Sequence, residues 1–134
     1  MSDPAESINR YVGRPWSPVG FDCWEFVRAV YADAFQVYLP QLPGVDAADP
    51  HAAAQAASDL RAGGDWLPVL VPKDGDCVTM GQRSRPHHVG IWISGRIAHC
   101  DQVHGVCVVP QHRLAAAGWR GFIIFRHISQ VEQP

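Results

Sequence analysis

The first half of the chain places apolar residues at helical spacing. A first helix is predicted over residues 7–12, and a loop rich in Gly and Pro follows at residues 13–20. A second helix begins near Asp22, because Asp22 suits the N-cap and Glu25 three residues later completes a capping-box pattern. Five residues then fall on one apolar face of this helix: Cys23, Val27, Val30, Tyr31 and Ala34.

The second half of the chain shows the short apolar runs and turn signals of β-strands. Before it, a third helix opens at Pro50 and ends at Gly63. Strands are predicted at five places: residues 77–80, 88–93, 97–100, 106–109 and 121–127. A short helix over residues 111–117, ended by Gly118, separates the last two strands. This order predicts an α+β fold with N-terminal helices packed on an antiparallel β-sheet, in one domain spanning residues 1–134.

Composition and charge exclude several classes of protein. The 134 residues are 47% hydrophobic and 18% charged, which favours a packed core over disorder. A formal net charge of −2 gives no electrostatic reason to expect nucleic acid or a membrane surface as partner. The polar, acidic residues 1–6 do not resemble a signal peptide, and no apolar run approaches the ~20 residues of a membrane span. We therefore expect cytoplasmic synthesis, with any export left to another machine.

Cys23 is the strongest candidate for a catalytic residue. It follows the predicted N-cap, where unpaired backbone N–H groups and the helix dipole favour an anion such as a thiolate. The position predicts a lowered thiol pKa, high nucleophilicity and the fastest alkylation of the four cysteines near neutral pH. A buried structural cysteine is the alternative that its position alone leaves open. Cys77, Cys100 and Cys107 form no C-x-x-C pair and are expected to be free, largely buried thiols.

A predicted hairpin supplies partners for a cysteine nucleophile. Residues 94–95 suit a two-residue turn, which places Gly90 opposite His99 and His88 opposite Asp101. Both histidines and the aspartate then project to one side of the sheet, and Gly90 leaves room for a close neighbour. A base and a polar group that orients it are what a cysteine nucleophile requires. The register by itself favours Asp101 as the orienting group.

Four segments together resemble the NlpC/P60 family in order and spacing. They are Gly20-Phe21-Asp22-Cys23-Trp24, Asp74-Gly75-Asp76-Cys77-Val78, His88-Val89-Gly90-Ile91-Trp92 and Ile97-Ala98-His99. The resemblance covers roughly residues 11–127 and implies a papain-like cysteine peptidase. It implies Cys23 as nucleophile, His88 as base and His99 as third residue, in preference to Asp101.

The same resemblance indicates a substrate and a setting. Family members cleave amide bonds in peptidoglycan stem peptides, so it implies a stem peptide as partner, with no cofactor and no metal. Trp24 after the cysteine, with residues 13–16 and 125–127, resembles the branch found in phages and prophages. That branch implies phage tail proteins as partners and virion-associated delivery to the cell wall. Trp16, Asp22 and Trp24 are expected to support the site or contact substrate.

Two departures from the family pattern leave alternatives open. Glu25 stands where a small residue is usual, and a carboxylate near the thiolate would raise the thiol pKa. Trp16 is the nearest candidate for an upstream tyrosine, and an indole donates but cannot accept a hydrogen bond. An inactive or weakly active tail-assembly or wall-binding module on the same fold is therefore one alternative. A metal-binding protein is another, because four residues with suitable donor atoms lie close in sequence: His99, Cys100, His104 and Cys107.

Overall fold

The computed structural model describes residues 3–42, 50–82 and 86–131. The α-helices in these ranges are α1 (Pro4–Tyr11), α2 (Cys23–Phe35), α3 (Pro50–Ala62) and α4 (Gln111–Ala116). The β-strands are β1 (Trp66–Val69), β2 (Cys77–Gly81), β3 (His88–Ile93), β4 (Arg96–Asp101), β5 (Gly105–Val109) and β6 (Arg120–His127). A 3₁₀ turn, Ile128–Gln130, follows β6. None of these helices has the length and apolar composition needed to traverse a bilayer.

The six strands form one antiparallel sheet in the order β1-β6-β2-β3-β4-β5. The predicted α+β class with an antiparallel sheet is therefore confirmed. The five predicted strands are present, and β1 is an additional strand that the sequence pattern did not indicate. It contains Pro68 and, within the described residues, pairs with β6 alone. Proline is tolerated at a sheet edge because no second neighbour requires its missing N–H.

The β3–β4 hairpin has the predicted turn, and its ladder ends at the predicted Gly90–His99 pair, so the predicted His88–Asp101 pair is not part of it. Ser94 and Gly95 both have positive φ, 49° and 76°, as a two-residue hairpin turn requires. Gly90 lies opposite His99 in the ladder. A Cβ on Gly90 would lie 2.7 Å from the Ala98 carbonyl oxygen, so only glycine fits this close approach. His88 is the first residue of β3 and pairs with Met80 on β2.

The start of α2 is capped by Asp22, as predicted. The Asp22 Oδ1 accepts a hydrogen bond of 2.8 Å from the Glu25 N–H. The second half of the capping box is absent, because the Glu25 carboxylate pairs with Arg28 at 2.7 Å instead. On the far side of the helix, the Tyr31 hydroxyl donates to the Gly75 carbonyl at 2.6 Å, which ties α2 to the turn before β2.

Apolar side chains pack on both faces of the sheet. The larger cluster lies between the sheet and α1 and α2, and it includes Phe26, Val30, Ile91, Cys100 and Phe125. The smaller cluster lies beside α4 and contains Val78, Met80, Ile97 and Leu114. Side chains alternate along a strand, so Cys100 and His99 point to opposite faces of β4.

Candidate active site

Cys23 and His88 line the same cavity, which has a volume of about 110 Å³. Its walls are largely apolar and include the rings of Trp24, Trp66 and Phe125. The cavity therefore combines a thiol and an imidazole with a surface suited to an extended organic substrate.

Cys23 is the first residue of α2 and is partly buried. The backbone N–H groups of Val89, Trp24 and Cys23 itself are directed at the sulfur and lower the thiol pKa. Burial acts in the opposite direction and is the largest effect, so the pKa of Cys23 rises to about 12. The expected low pKa is therefore wrong for this structure, because desolvation outweighs the donors at the helix start.

His88 and His99 form a buried pair. The His88 Nε2 lies 2.9 Å from the His99 Nδ1, and the two rings are nearly perpendicular at 86°. Burial, and next the neighbouring His99, lower the pKa of His88 to about 3. Burial also lowers the pKa of His99, although the Asp101 carboxylate opposes that change. Both rings are therefore neutral near neutral pH, and the hydrogen bond between them carries a single proton.

Asp101 lies behind His99 and does not bridge to His88. Its Oδ2 is 4.0 Å from the His99 Nε2, and the same oxygen is 3.2 Å from the ring of His104. Burial raises the pKa of Asp101, but hydrogen bonds from His104 and Val103 outweigh it and hold that pKa below its ordinary value. The hairpin thus brings His99 against His88 and leaves Asp101 as an ionised neighbour of His99.

The three predicted support residues differ in position. Asp22 and Trp24 line the cavity, and the Trp24 Nε1 donates to the Pro40 carbonyl at 2.9 Å. Trp16 is not among the residues that line this cavity. Its ring packs against the hydrophobic core, and the preceding loop is held on β5 by the Val106 N–H, which donates to the Arg14 carbonyl at 3.0 Å.

Trp119 contacts His88, a contact that the sequence pattern did not reveal. Its indole stacks on the His88 ring with centroids 4.6 Å apart and planes 23° apart. Gly118, with a φ of 103°, ends α4 and turns the chain so that Trp119 reaches β3. The sequence indicated the helix end, but no local pattern relates position 119 to position 88.

Arg61, near the end of α3, is a second residue that the sequence analysis missed. It lines the cavity with its Cζ 5.6 Å from the centroid of the Phe125 ring. Its Nη1 is buried, with no hydrogen-bond partner among the residues that the structure describes. The Arg61 guanidinium therefore places a cation beside the aromatic wall of the cavity.

Two of the four residues in the alternative metal-ligand set, Cys100 and His104, lie outside the group of donor atoms that the structure brings together. The Cys100 thiol is buried on the opposite face of β4, 3.9 Å from the Phe21 carbonyl oxygen. His99 and Cys107 do come together, and Asp101 joins them, with one donor atom from each residue within 4.8 Å of the others. His104 lies beside Asp101 but outside this group. All four cysteines are free, as predicted.

Comparison with known proteins agrees with this architecture. The family match is to the NlpC/P60 family over residues 9–120. The chain is similar to the NlpC/P60 domain of the peptidoglycan hydrolase SagA, with 22% identity and a TM-score of 0.59 across 90% of this chain and 94% of that one. It is also similar to the type VI effector–immunity complex Tae3–Tai3 from Ralstonia pickettii, with 21% identity and a TM-score of 0.53 across 93% and 96% of the two chains.

At these identities the structural likeness establishes a shared fold. A search of curated proteins found no match. The family match spans most of the sequence, and the fold agrees with it. The chain therefore belongs to the NlpC/P60 family.

Proposed function

We propose that this protein is a cysteine peptidase that hydrolyses amide bonds in peptidoglycan stem peptides. Cys23 is the nucleophile, His88 the base and His99 the group that orients the base. The observation that carries the proposal is the 2.9 Å hydrogen bond between two buried, neutral histidines, one of which shares a cavity with Cys23. Membership of the NlpC/P60 family, and the fold shared with a peptidoglycan hydrolase domain, support the substrate class.

The proton positions follow from the contacts of the two rings. Two groups face the His99 Nε2, the Cys107 Sγ at 3.5 Å and the Asp101 carboxylate at 4.0 Å, and we place a proton on that nitrogen because the carboxylate and the neutral sulfur can both accept it. The His99 Nδ1 is then an acceptor, and it receives the Nε2–H of His88 at 2.9 Å. His88 consequently presents Nδ1 as an unprotonated base. Asp101 is a positioning residue in this scheme, because it acts on His88 only through His99.

The reaction begins from a neutral thiol and a neutral imidazole. As the Cys23 sulfur attacks the carbonyl carbon, its proton passes to the His88 Nδ1, and the carbonyl π pair becomes the oxyanion. Backbone N–H groups at the start of α2, including that of Trp24, stabilise this charge. The imidazolium then protonates the leaving amine and the C–N bond breaks, which leaves a thioester. Water, deprotonated by His88, releases the acid and restores the thiol.

Arg61 is proposed to hold a carboxylate of the substrate. Arg61 lines the cavity beside the Phe125 ring, so its guanidinium offers a cation next to an apolar surface. Stem peptides carry free carboxylates, so this arrangement fits the proposed substrate class. The Glu25 carboxylate lines the same cavity but pairs with Arg28 at 2.7 Å, which offsets its charge.

Digestion of purified muropeptides tests the proposal. Wild-type protein is expected to release fragments whose masses identify a cut amide bond, and Cys23→Ala protein to release none. Cys77→Ala is the matched control, because that buried thiol also lines the cavity but lies on β2, away from a helix start. Folded wild-type protein that leaves every muropeptide intact would favour the inactive wall-binding module.

The setting is a finer proposal, namely that the protein acts with phage tail proteins and reaches the wall in a virion. Its support is the resemblance of Trp24 and of residues 13–16 and 125–127 to the phage and prophage branch. Mass spectrometry of purified particles induced from the source cells tests it. Finding the protein only in the particle-free fraction would contradict this setting and leave the peptidase proposal standing.

A further inference from the structure

The register of β4 and β5 gathers three side chains with possible metal-ligand atoms beside the candidate active site. His99 and Asp101 are two residues apart on β4 and therefore share one face of the sheet. Cys107 on β5 lies directly opposite His99 in the ladder. The backbone of two paired strands thus positions an imidazole, a carboxylate and a thiol together.

The donor atoms are nearly at the spacing of a tetrahedral metal site. The Cys107 Sγ is 3.5 Å from the His99 Nε2, and the Asp101 Oδ2 is 4.0 Å from the same nitrogen. Zinc bonds of roughly 2.0–2.3 Å at tetrahedral angles place ligands roughly 3.3–3.8 Å apart. All three donor atoms lie within 4.8 Å of one another, so Asp101 and Cys107, both partly exposed, would have to close by roughly 1 Å, and water would take the fourth position.

The surroundings support these residues as ligands. His99 is 2% exposed, and its other ring nitrogen is hydrogen-bonded to His88, as the second nitrogen of a metal-bound histidine usually is. The Asp101 Oδ1 accepts the backbone N–H groups of Val103 and His104, which orients the carboxylate. One nitrogen, one sulfur and one oxygen suit zinc and similar divalent cations better than magnesium or calcium.

We propose that His99, Asp101 and Cys107 bind a zinc-like divalent cation and that its binding switches the peptidase off. The inhibition rests on the proposed function, whereas binding of the cation does not. A cation on the His99 Nε2 takes the lone pair of that nitrogen, so the remaining ring proton must sit on Nδ1. The His99 Nδ1–H then donates across the 2.9 Å contact, and the His88 Nε2 becomes the acceptor.

This exchange removes the base. A neutral His88 that accepts at Nε2 carries its one ring proton on Nδ1, where no lone pair remains for the Cys23 proton. Both histidines stay neutral throughout, and the only proton released to solvent is that of the Cys107 thiol, which binds as thiolate. The cation therefore acts without contacting Cys23.

Cobalt provides a binding test that needs no activity. Co²⁺ is added to Cys23→Ala protein, and the near-ultraviolet charge-transfer band that reports a cobalt–thiolate bond is recorded together with the visible bands of a tetrahedral site. We expect one equivalent to bind. The double variant Cys23→Ala/Cys107→Ala should lack the thiolate band and bind Co²⁺ more weakly. The double variant Cys23→Ala/Cys100→Ala should retain the band, because Cys100 is adjacent in sequence but lies on the opposite face.

Zinc inhibition is then measured on muropeptides as the ratio of rates with and without Zn²⁺ for each protein. We expect Zn²⁺ to lower the rate of wild-type protein by at least roughly 90% and a chelator to restore that rate. The Cys107→Ala protein should be inhibited much less. A missing cobalt band, a band that survives Cys107→Ala, or equal inhibition of wild-type and Cys107→Ala proteins would overturn the inference. If wild-type protein cleaves no muropeptide, the proposed function fails, while the cobalt spectra still decide the binding site.

Discussion

Replacing His99 separates its contribution from that of Asp101. In the proposed tautomer, the His99→Ala substitution removes the acceptor of the His88 Nε2–H, in a place where His88 is only 8% exposed. An unsatisfied buried donor costs about 1–3 kcal/mol, which corresponds to a roughly 5- to 150-fold loss if it falls on the transition state. Loss of the preferred His88 tautomer adds to this, so we expect kcat/KM to fall roughly 100-fold, mainly in kcat.

Asp101 should matter less. Its Oδ2 is 4.0 Å from a neutral ring, and its side chain is 21% exposed, so the interaction is a screened one between a charge and a dipole. We expect Asp101→Asn to lower kcat/KM by roughly five-fold at most, or about 1 kcal/mol. His99→Gln is the matched control, because its amide oxygen can accept the His88 Nε2–H and should restore part of the rate lost in His99→Ala.

Initial rates of muropeptide cleavage, followed by mass spectrometry, measure these differences. Thermal unfolding of each variant shows whether a lost rate reflects lost folding. Full activity of His99→Ala protein together with a large loss of activity in Asp101→Asn protein would refute the proposed role of His99 and make Asp101 the third catalytic residue. Equal rates for His99→Ala and His99→Gln would show that the hydrogen-bond acceptor is not what His99 contributes.

Three further predictions concern other parts of the site. Because the pKa of Cys23 is about 12, iodoacetamide should label Cys23 slowly at pH 7–8 and faster as the pH rises above ~9. The partly exposed Cys107 should be labelled before it. Rapid labelling of Cys23 at neutral pH, mapped by mass spectrometry, would contradict the effect of burial. Gly90→Ala should lower the free energy of unfolding by about 1–3 kcal/mol, since its Cβ would meet the Ala98 carbonyl at 2.7 Å; an unchanged urea midpoint would argue against that contact. Arg61→Met should raise KM for a muropeptide with a free carboxylate by roughly ten-fold and leave kcat nearly unchanged. An equal KM for wild-type and variant proteins would show that Arg61 does not bind the substrate.

Local signals in the sequence were sufficient for the scaffold of the site. Asp22 at the start of α2 and the two-residue turn at 94–95 are short-range features, and both occur as predicted. The turn sets the register, and the register places His88 and His99 on one face because side chains alternate along a strand. A hairpin and a capped helix could therefore be inferred from a few neighbouring residues.

What the tertiary structure decided depends on contacts between distant segments. The pKa of Cys23 follows from how completely the folded chain covers the sulfur, and the helix start alone predicted the opposite direction. Trp119 contacts His88, and Arg61 contacts Phe125, although each pair is far apart in the sequence. No helical or strand periodicity relates residues at such distances. Cys107 joins His99 only because β5 pairs with β4 in one register. Burial and long-range packing are properties of the assembled core, so a pattern within one segment cannot report them.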